Sequence, residues 1–458
     1  MHIHILGICG TFMAGVAAIA RSAGHRVTGA DQGVYPPMSD QLAALGIDVI
    51  EGYARDQLEL SPDVVVVGNV MTRGVPVIEE LLNSGLRYES GPEWLTREVL
   101  SSQRVIGVAG THGKTTTTSM LAWILEQAGL NPGFLIGGIP RDFDTSARFG
   151  GGDVFVIEAD EYDTAFFDKR AKFLHYRPEI QVINNLEFDH ADIYPDLAAI
   201  QGQFHQLIRM LPAKGRLIVP AADPAIRAVL ERGCWTPVDT FSSDIGGAGD
   251  WVGAIAADGD FELMRGAESL GSRPWQMSGA YNAENGVAAV LAARAVGVEI
   301  STALDALGQF GGVKRRLERR GEFGGVALYD DFAHHPTAIR RTIAGMRQQM
   351  TGGRLIIVFE PRSNTMKLGV HKDTLGAALA GADRVWIYRP SGMEWDIGAA
   401  VDGVSAASVC DDTGTIVREA TRFAEPGDRL IIMSNGGFEN IHVRLETALE
   451  DRRAAAGR

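Results

Sequence analysis

Residues 105–118 read Val-Ile-Gly-Val-Ala-Gly-Thr-His-Gly-Lys-Thr-Thr-Thr-Thr, and they constrain the fold more than any other stretch. An apolar run turns through glycines into Lys114 and four threonines. A helical pattern follows over residues 119–128. Strand, glycine turn and helix start make the setting in which backbone N–H groups and the helix dipole hold a phosphate. Lys114 would reach the terminal phosphates, and the Thr115 hydroxyl would sit on Mg²⁺. Only the second half of the full phosphate-loop pattern is present, because Val108 stands where its first glycine belongs. A ligand-free glycine turn is the competing reading, and the flanking strand and helix weigh against it. The candidate nucleotide contacts are Gly110, Thr111, Gly113, Lys114, Thr115 and Thr116.

At 458 residues the chain exceeds one ordinary core, so several domains are expected. Its 55 glycines suit an α/β fold with many strand–helix junctions. A net charge of −14 disfavours a nucleic-acid backbone as partner. Three cysteines lie far apart without a CxxC pair, which argues against a disulfide framework or a zinc site. No signal-peptide pattern opens the chain and no apolar run reaches membrane-spanning length, so a cytoplasmic location is expected.

The first hundred residues begin as a βαβ unit: residues 2–6 alternate as a strand, Gly7–Gly15 turns, and a second strand ends at Asp31. Cys9 replaces the second glycine of the dinucleotide fingerprint, which disfavours NAD and an oxidoreductase. A nucleotide diphosphate at the Gly7–Gly15 turn stays open, and Gly10, Thr11, Asp31, Tyr35, Ser39 and Asn69 are the candidate substrate contacts of this domain. Paired prolines stiffen the loop that carries Tyr35 and Ser39. Asn69 follows the apolar strand over residues 63–68, at the strand end where open α/β sheets bind ligands.

Downstream of the phosphate loop, the strand over residues 153–157 runs into Glu158, Asp160, Glu161 and Asp163. Carboxylates at a strand end beside a phosphate loop suit Mg²⁺, and Glu158 is the expected ligand. By alternation Glu158 and Asp160 share a face. His190 lies among Glu187, Asp189 and Asp192 in another polar strand-end loop, which suggests a second Mg²⁺ or a phosphate role. Residues 239–275 read as a β-hairpin excursion. Asn282 and Asn285 lie three apart at a helix start, where they would read an adenine edge or cap the helix. Residues 314–320 hold five basic side chains in seven positions, a possible phosphate clamp. Further strands over residues 354–359, 384–388 and 429–433 announce a last doubly wound sheet.

Taken together, Gly110–Thr116, Glu158–Glu161, Asn184–His190, Asn282 with Asn285, Arg316 and Asp330–Pro336 resemble the Mur ligase family, ATP-dependent amide-forming enzymes of peptidoglycan synthesis. The resemblance covers nearly the whole chain. It implies an α/β protein of three domains: a Rossmann-like UDP-sugar domain over residues 1–103, a central ATP-binding phosphate-loop domain over 104–320, and a Rossmann-like peptide-binding domain over 321–458. Residues 7–13, 35–39, 161–169, 360–367 and 434–438 resemble the branch that joins UDP-N-acetylmuramate to the recycled tripeptide L-alanyl-γ-D-glutamyl-meso-diaminopimelate. The alternative branch adds a single L-alanine.

The resemblance implies the chemistry and the roles. ATP phosphorylates the muramate carboxylate, the peptide amine attacks the acyl phosphate, and phosphate leaves. Mg²⁺ would sit on Thr115 and Glu158, with His190 on a second ion. Asn282, Asn285, Arg316 and Asp331 would contact ATP, Asp331 at the ribose. His112 and His334 would lie near the reacting centre with Lys114. Arg362, Asn364 and Lys367 would meet the acceptor's carboxylates, unless they are surface charges. A carbamylated lysine found in several relatives is missing, since residues 203–206 read Gln-Phe-His-Gln; His205 is the nearest substitute. Domain closure is expected to hinge near residues 319–324. A nucleotide-binding module without turnover is the reading of a different class, and it gives the acidic strand end and His190 no reason to occur together.

Overall fold

The computed structural model describes residues 1–34, 38–256, 258–404 and 406–456. It is an α/β structure whose main sheets number three, and the chain divides into two compact units. The first unit holds residues 1–188, 196–275 and 283–311; the second holds 189–195, 276–282 and 312–458.

Within the first unit, a five-stranded parallel sheet runs in the order Val49–Glu51, Arg26–Asp31, His2–Leu6, Val64–Val67, Tyr88–Ser90. The strand direction of winding reverses between His2–Leu6 and Val64–Val67. The turns leaving those two strands, at Gly7 and Gly68, therefore lie side by side, and such a switch point opens a crevice. Gly7 has φ +77, and a Cβ on it would stand 2.9 Å from Val70. A side chain on Gly68 would stand 2.8 Å from the Leu6 carbonyl oxygen. Both positions need glycine for this close approach.

The second sheet of this unit has ten strands. Its centre is parallel and buried: Arg216–Pro220, Ile180–Ile183, Arg104–Ala109, Val154–Glu158 and Gly133–Leu135. Arg104–Ala109 lies between Ile180–Ile183 and Val154–Glu158, so the loops leaving these three strands gather at one sheet edge. The expected excursion over residues 239–275 is present. It extends the same sheet through Val238–Ser242, Trp251–Ile255, Phe261–Arg265 and Glu268–Arg273, the last three antiparallel.

The second unit is built on a six-stranded sheet in the order Glu318–Phe323, Val326–Asp331, Arg429–Met433, Leu355–Phe359, Arg384–Tyr388, Ala407–Cys410. Its central strand shows why a continuous apolar run is required. Leu355, Ile357 and Phe359 enter one core with Ile339, Ile343 and Leu375. Ile356 and Val358 enter the other, with Ile416, Ile441 and Leu445. A two-residue period sends alternate side chains to opposite faces, and helices cover both.

The segment over residues 319–324, expected near the hinge, is regular structure rather than a loop. It lies in Glu318–Phe323, a strand paired with Val326–Asp331 and already part of this sheet before residue 321. Phe323 pairs with Val326, and Gly324 and Gly325 between them have φ +58 and +80. Positive φ at both central residues is the type I′ turn that closes a tight hairpin. Gly324 and Gly325 are the residues that let the chain make this turn.

Ile357 is wholly buried in the sheet centre. Ile357→Ala should therefore cost about 2–5 kcal/mol of stability. Denaturant unfolding followed by hydrogen exchange in the second unit checks this, and a loss confined to fractions of a kcal/mol would contradict the packing described.

Candidate active site

The phosphate loop follows Arg104–Ala109, and helix Lys114–Gln127 begins directly after Gly113. Gly110 and Gly113 have φ +126 and +80. The next strand over supports the loop from outside. Asn185 accepts from the His112 N–H through Oδ1 at 2.8 Å, and its own amide donates to the His112 carbonyl at 3.1 Å. Thr111 donates to the Glu187 carbonyl and accepts from the Glu187 N–H at 2.8 Å. Beneath the helix start, buried Asn184 donates to Thr117 Oγ1 at 2.9 Å and to Asn285 Oδ1 at 3.3 Å, and Thr117 donates to Asn285 Oδ1 at 3.1 Å. A Cβ on Gly113 would stand 2.5 Å from Asn285 Oδ1.

Lys114 donates to the Gly110 carbonyl at 2.7 Å and pairs with Glu161 at 3.0 Å. Burial by itself would lower its ammonium pKa; the carboxylates of Glu161, Asp160 and Glu158 outweigh it and hold the lysine above its ordinary value. Thr115 Oγ1 donates to Glu158 Oε1 at 3.0 Å, while Glu158 Oε2 accepts from the Gly137 N–H at 2.7 Å. Mg²⁺ binds oxygen at about 2.0–2.1 Å in octahedral geometry, so two adjacent ligand oxygens stand about 3 Å apart. The Thr115 and Glu158 oxygens have that spacing, and a hydroxyl with a carboxylate is the hard oxygen set this ion takes.

At the first sheet's switch point, Gly10 and Thr11 are exposed at the start of helix Thr11–Ser22. Asn69 is exposed on the neighbouring loop, and Ser39 lies in helix Met38–Ala44. Tyr35 falls outside the described residues. Asp31 is engaged within the fold: it accepts from the Cys9 N–H at 2.8 Å, the Gly33 N–H at 3.0 Å and the Tyr53 hydroxyl at 3.3 Å. It thus clamps the turn that Cys9 occupies.

The second unit gathers a different set. Asn282 is buried and donates to the Ser278 carbonyl at 2.8 Å. Asp331 is buried and accepts from the Leu317 and Ala333 N–H groups, each at 2.7 Å. Burial pushes its carboxyl up to about 6, against the Ala333 and Leu317 donors and the charge of Arg316. Arg316 lies over the Phe332 ring at 4.6 Å. His334 Nδ1 is 3.0 Å from the Phe332 carbonyl, and its Nε2 is 3.9 Å from Asp189. Asp189 is buried and accepts from Thr365 Oγ1 at 2.7 Å and from the His190 N–H at 2.7 Å. Burial opposes ionisation of Asp189, but His190, His334 and Thr365 hold it well below the usual carboxylate range. His190 itself has φ +57, a left-handed backbone fixed by that bond.

Thr365 belongs to the loop expected to meet the acceptor. Asn364 in that loop donates to Asp192 at 2.9 Å. Lys367 ends the short helix Asn364–Lys367 and is half-buried. Arg362 is exposed, and its guanidinium lies so close to Gly436 that a Cβ there would stand 2.1 Å from it.

Sequence reasoning grouped Lys114, Thr115 and Glu158, and the structure brings them together. It did not find Asn185, the Lys114–Glu161 pair, or Asp189 with Thr365. Asn185 and Asp189 fall within the polar stretch after Ile180–Ile183, but nothing local marks which members hold the loop. Asn285, expected at an adenine edge, has its carbonyl oxygen engaged behind the phosphate loop by Thr117 and Asn184.

Three family models match the chain: Mur ligase family, catalytic domain, over residues 2–101; Mur ligase middle domain over 108–293; and Mur ligase, glutamate ligase domain, over 315–436. The chain belongs to the Mur ligase family. It is 49% identical to the UDP-N-acetylmuramate–L-alanyl-γ-D-glutamyl-meso-2,6-diaminoheptandioate ligase of Escherichia coli strain K12, over 100% of both chains. The Haemophilus influenzae protein of the same name is 47% identical, with 97% of this chain and 98% of that one covered. Among solved structures, the murein peptide ligase of Psychrobacter arcticus 273-4 matches with TM-score 0.76 and 46% identity, over 98% of this chain and 99% of that one.

The Asp331 carboxyl, at about 6, lies above the ordinary aspartate value. Between about pH 4 and about pH 6 the folded Mur ligase chain therefore holds a proton there that the unfolded chain has released. Its contribution to stability is present at low pH and is lost as pH rises from about 4 to about 6. The carboxyl carbon of Asp331, followed by NMR, should titrate with a midpoint near 6; a midpoint within the ordinary aspartate range would contradict the effect of burial.

Proposed function

We infer that this chain is an ATP-dependent ligase that joins the tripeptide L-alanyl-γ-D-glutamyl-meso-diaminopimelate to UDP-N-acetylmuramate, a step of peptidoglycan recycling. The observation that carries the reading is the full-length identity to two ligases named for this reaction, on a chain whose phosphate loop and acidic strand end meet. Relatives named UDP-N-acetylmuramate–L-alanine ligase match at lower identity, 30% and 35% for two of them.

Phosphoryl transfer needs positioning and charge neutralisation more than covalent help from the protein. The N–H groups at the start of helix Lys114–Gln127 hold the nucleotide's phosphates, and Lys114 turns from Glu161 toward the transferred group. Thr115 and Glu158 would hold Mg²⁺, which supplies further charge neutralisation when bound. His190, steadied by Asp189, is proposed as a ligand for a second ion. Asp331 and Arg316 are proposed at the nucleotide's ribose and phosphates, with Asn282 near the base. Gly10, Thr11, Ser39 and Asn69 are proposed to hold the UDP-sugar at the switch point of the first sheet. Arg362, Asn364 and Lys367 are proposed to meet the acceptor peptide, and Arg362 is exposed to do so. Among the described residues no helix is long and apolar enough to cross a membrane. We place the reaction in the cytoplasm, where ATP and UDP-sugars are supplied.

Phosphate release from ATP, with UDP-N-acetylmuramate and Mg²⁺ present, should be rapid with the tripeptide as acceptor and slow with L-alanine. Faster release with L-alanine would assign the chain to the biosynthetic step instead. Lys114→Ala should cut turnover by about 100-fold or more, the order expected when a preorganised charge-stabilising donor is lost. Near-unchanged turnover in the folded variant would remove Lys114 from the mechanism.

A further inference from the structure

Lys172 is a buried cation that the roles above leave unused. It follows the hairpin of Asp163–Ala165 and Asp168–Ala171, which sits on the loop after Glu158. The Lys172 N–H donates to the Tyr162 carbonyl at 2.9 Å, and the Phe173 N–H to the Asp160 carbonyl at 3.3 Å. These bonds fix the lysine opposite the acidic strand end. Its ammonium lies 5.5 Å from the Tyr162 ring centre and 5.3 Å from that of Phe12. Phe12 is the residue after Thr11, at the exit of the Gly7–Thr11 turn. Lys172 thus stands where the UDP-sugar turn of the first sheet meets the acidic end of the second, within one unit.

Its charge is poorly matched. The side chain is 9% exposed, and the Asp160 carboxylate oxygen lies 3.7 Å away, beyond hydrogen-bond reach. Among the described residues no acceptor takes a hydrogen bond from the ammonium. Aromatic faces attract a cation but leave its three N–H donors unspent. Lys114 makes the contrast: it is similarly buried, yet it bonds the Gly110 carbonyl and both oxygens of Glu161. A buried ammonium without hydrogen bonds is costly, and an anion placed against it relieves that cost. A second polar group nearby is also unspent. The Tyr176 hydroxyl is buried without a hydrogen-bond partner and lies within electrostatic reach of Asp160 and Glu158.

We propose that Lys172 binds the lactyl carboxylate of UDP-N-acetylmuramate and holds it for phosphorylation. This rests on the ligase reading above. In that reaction the UDP end occupies the glycine turn and the carboxylate must reach the phosphate loop. The carboxylate therefore crosses the space between Phe12 and Asp160, where Lys172 lies. The pyrophosphate, seated on the turn itself, is the other anion of the same substrate, and the test separates the two.

Calorimetric titration of the full chain with UDP-N-acetylmuramate and with UDP-N-acetylglucosamine, which lacks the lactyl carboxylate, decides the matter. The unsubstituted protein should bind UDP-N-acetylmuramate more tightly. Lys172→Gln should weaken that ligand by about tenfold or more, the worth of a hydrogen bond to a charged group. UDP-N-acetylglucosamine and ADP should bind Lys172→Gln as they bind the unsubstituted chain, and Lys172→Arg should recover part of the loss. Equal weakening of both UDP-sugars would overturn the proposal in favour of a pyrophosphate contact or a purely structural joint. No weakening would overturn it outright. Where Lys172→Gln fails to fold, Lys172→Met keeps the apolar stem between the rings and is judged by the same two titrations. Failure of the unsubstituted chain to bind either UDP-sugar would instead bring down the ligase reading, and this inference with it.

Discussion

Everything at the nucleotide end depends on keeping one turn of backbone open. A phosphate loop works because some of its N–H groups are left unspent by the fold, yet a loop with unspent donors has little to hold it in shape. Here the restraint comes from the neighbouring strand end. Asn185 grips both polar groups of His112, and Thr111 exchanges bonds with Glu187. Asn184, Thr117 and Asn285 tie the helix start to a second helix from below. The amides of this network are buried, so losing one would strand its partners in the interior at a cost larger than the bond itself.

The same economy of charge runs through the rest of the site. Lys114 and Glu161 neutralise each other in a buried pair. Separated from its partner, either charge would be strongly unfavourable there. In the role proposed for Lys114, a nucleotide's phosphates would take over the lysine by offering it more negative charge than Glu161 does. Thr115 and Glu158 rest against each other at the spacing a small divalent ion imposes. These hydrogen bonds hold in position the side chains proposed to meet the nucleotide and the ion.

The second unit solves a related problem around Asp189. A buried carboxylate needs donors, and it finds them in Thr365 and the His190 N–H, with the His334 imidazole 3.9 Å away. One of these belongs to the loop proposed to bind the acceptor, another to the histidine proposed as a metal ligand. A change in the acceptor loop is therefore felt at the backbone of His190, through the shared Asp189 carboxylate.

The sequence by itself determined the layers and the kind of chemistry. Short apolar runs rich in β-branched residues, such as Leu355–Phe359, read as strands buried on both faces, and here alternate residues do enter two cores. Gly110, Gly113, Lys114 and Thr115 lie close along the chain, so their joint purpose was legible locally. Tertiary structure alone decided which partners meet. Asn185 with His112, Lys114 with Glu161, and Asp189 with Thr365 are separated by 73, 47 and 176 residues. The first two pairs follow from strand order and from which loops share a sheet edge, and no local pattern encodes that order or the meeting of Asp189 with Thr365. It also decided that Asp31 and Asn285 are engaged by neighbouring groups of the fold, and that Gly324 and Gly325 make a tight hairpin. A glycine or a polar side chain looks the same in a sequence whether it serves a ligand or the backbone beside it.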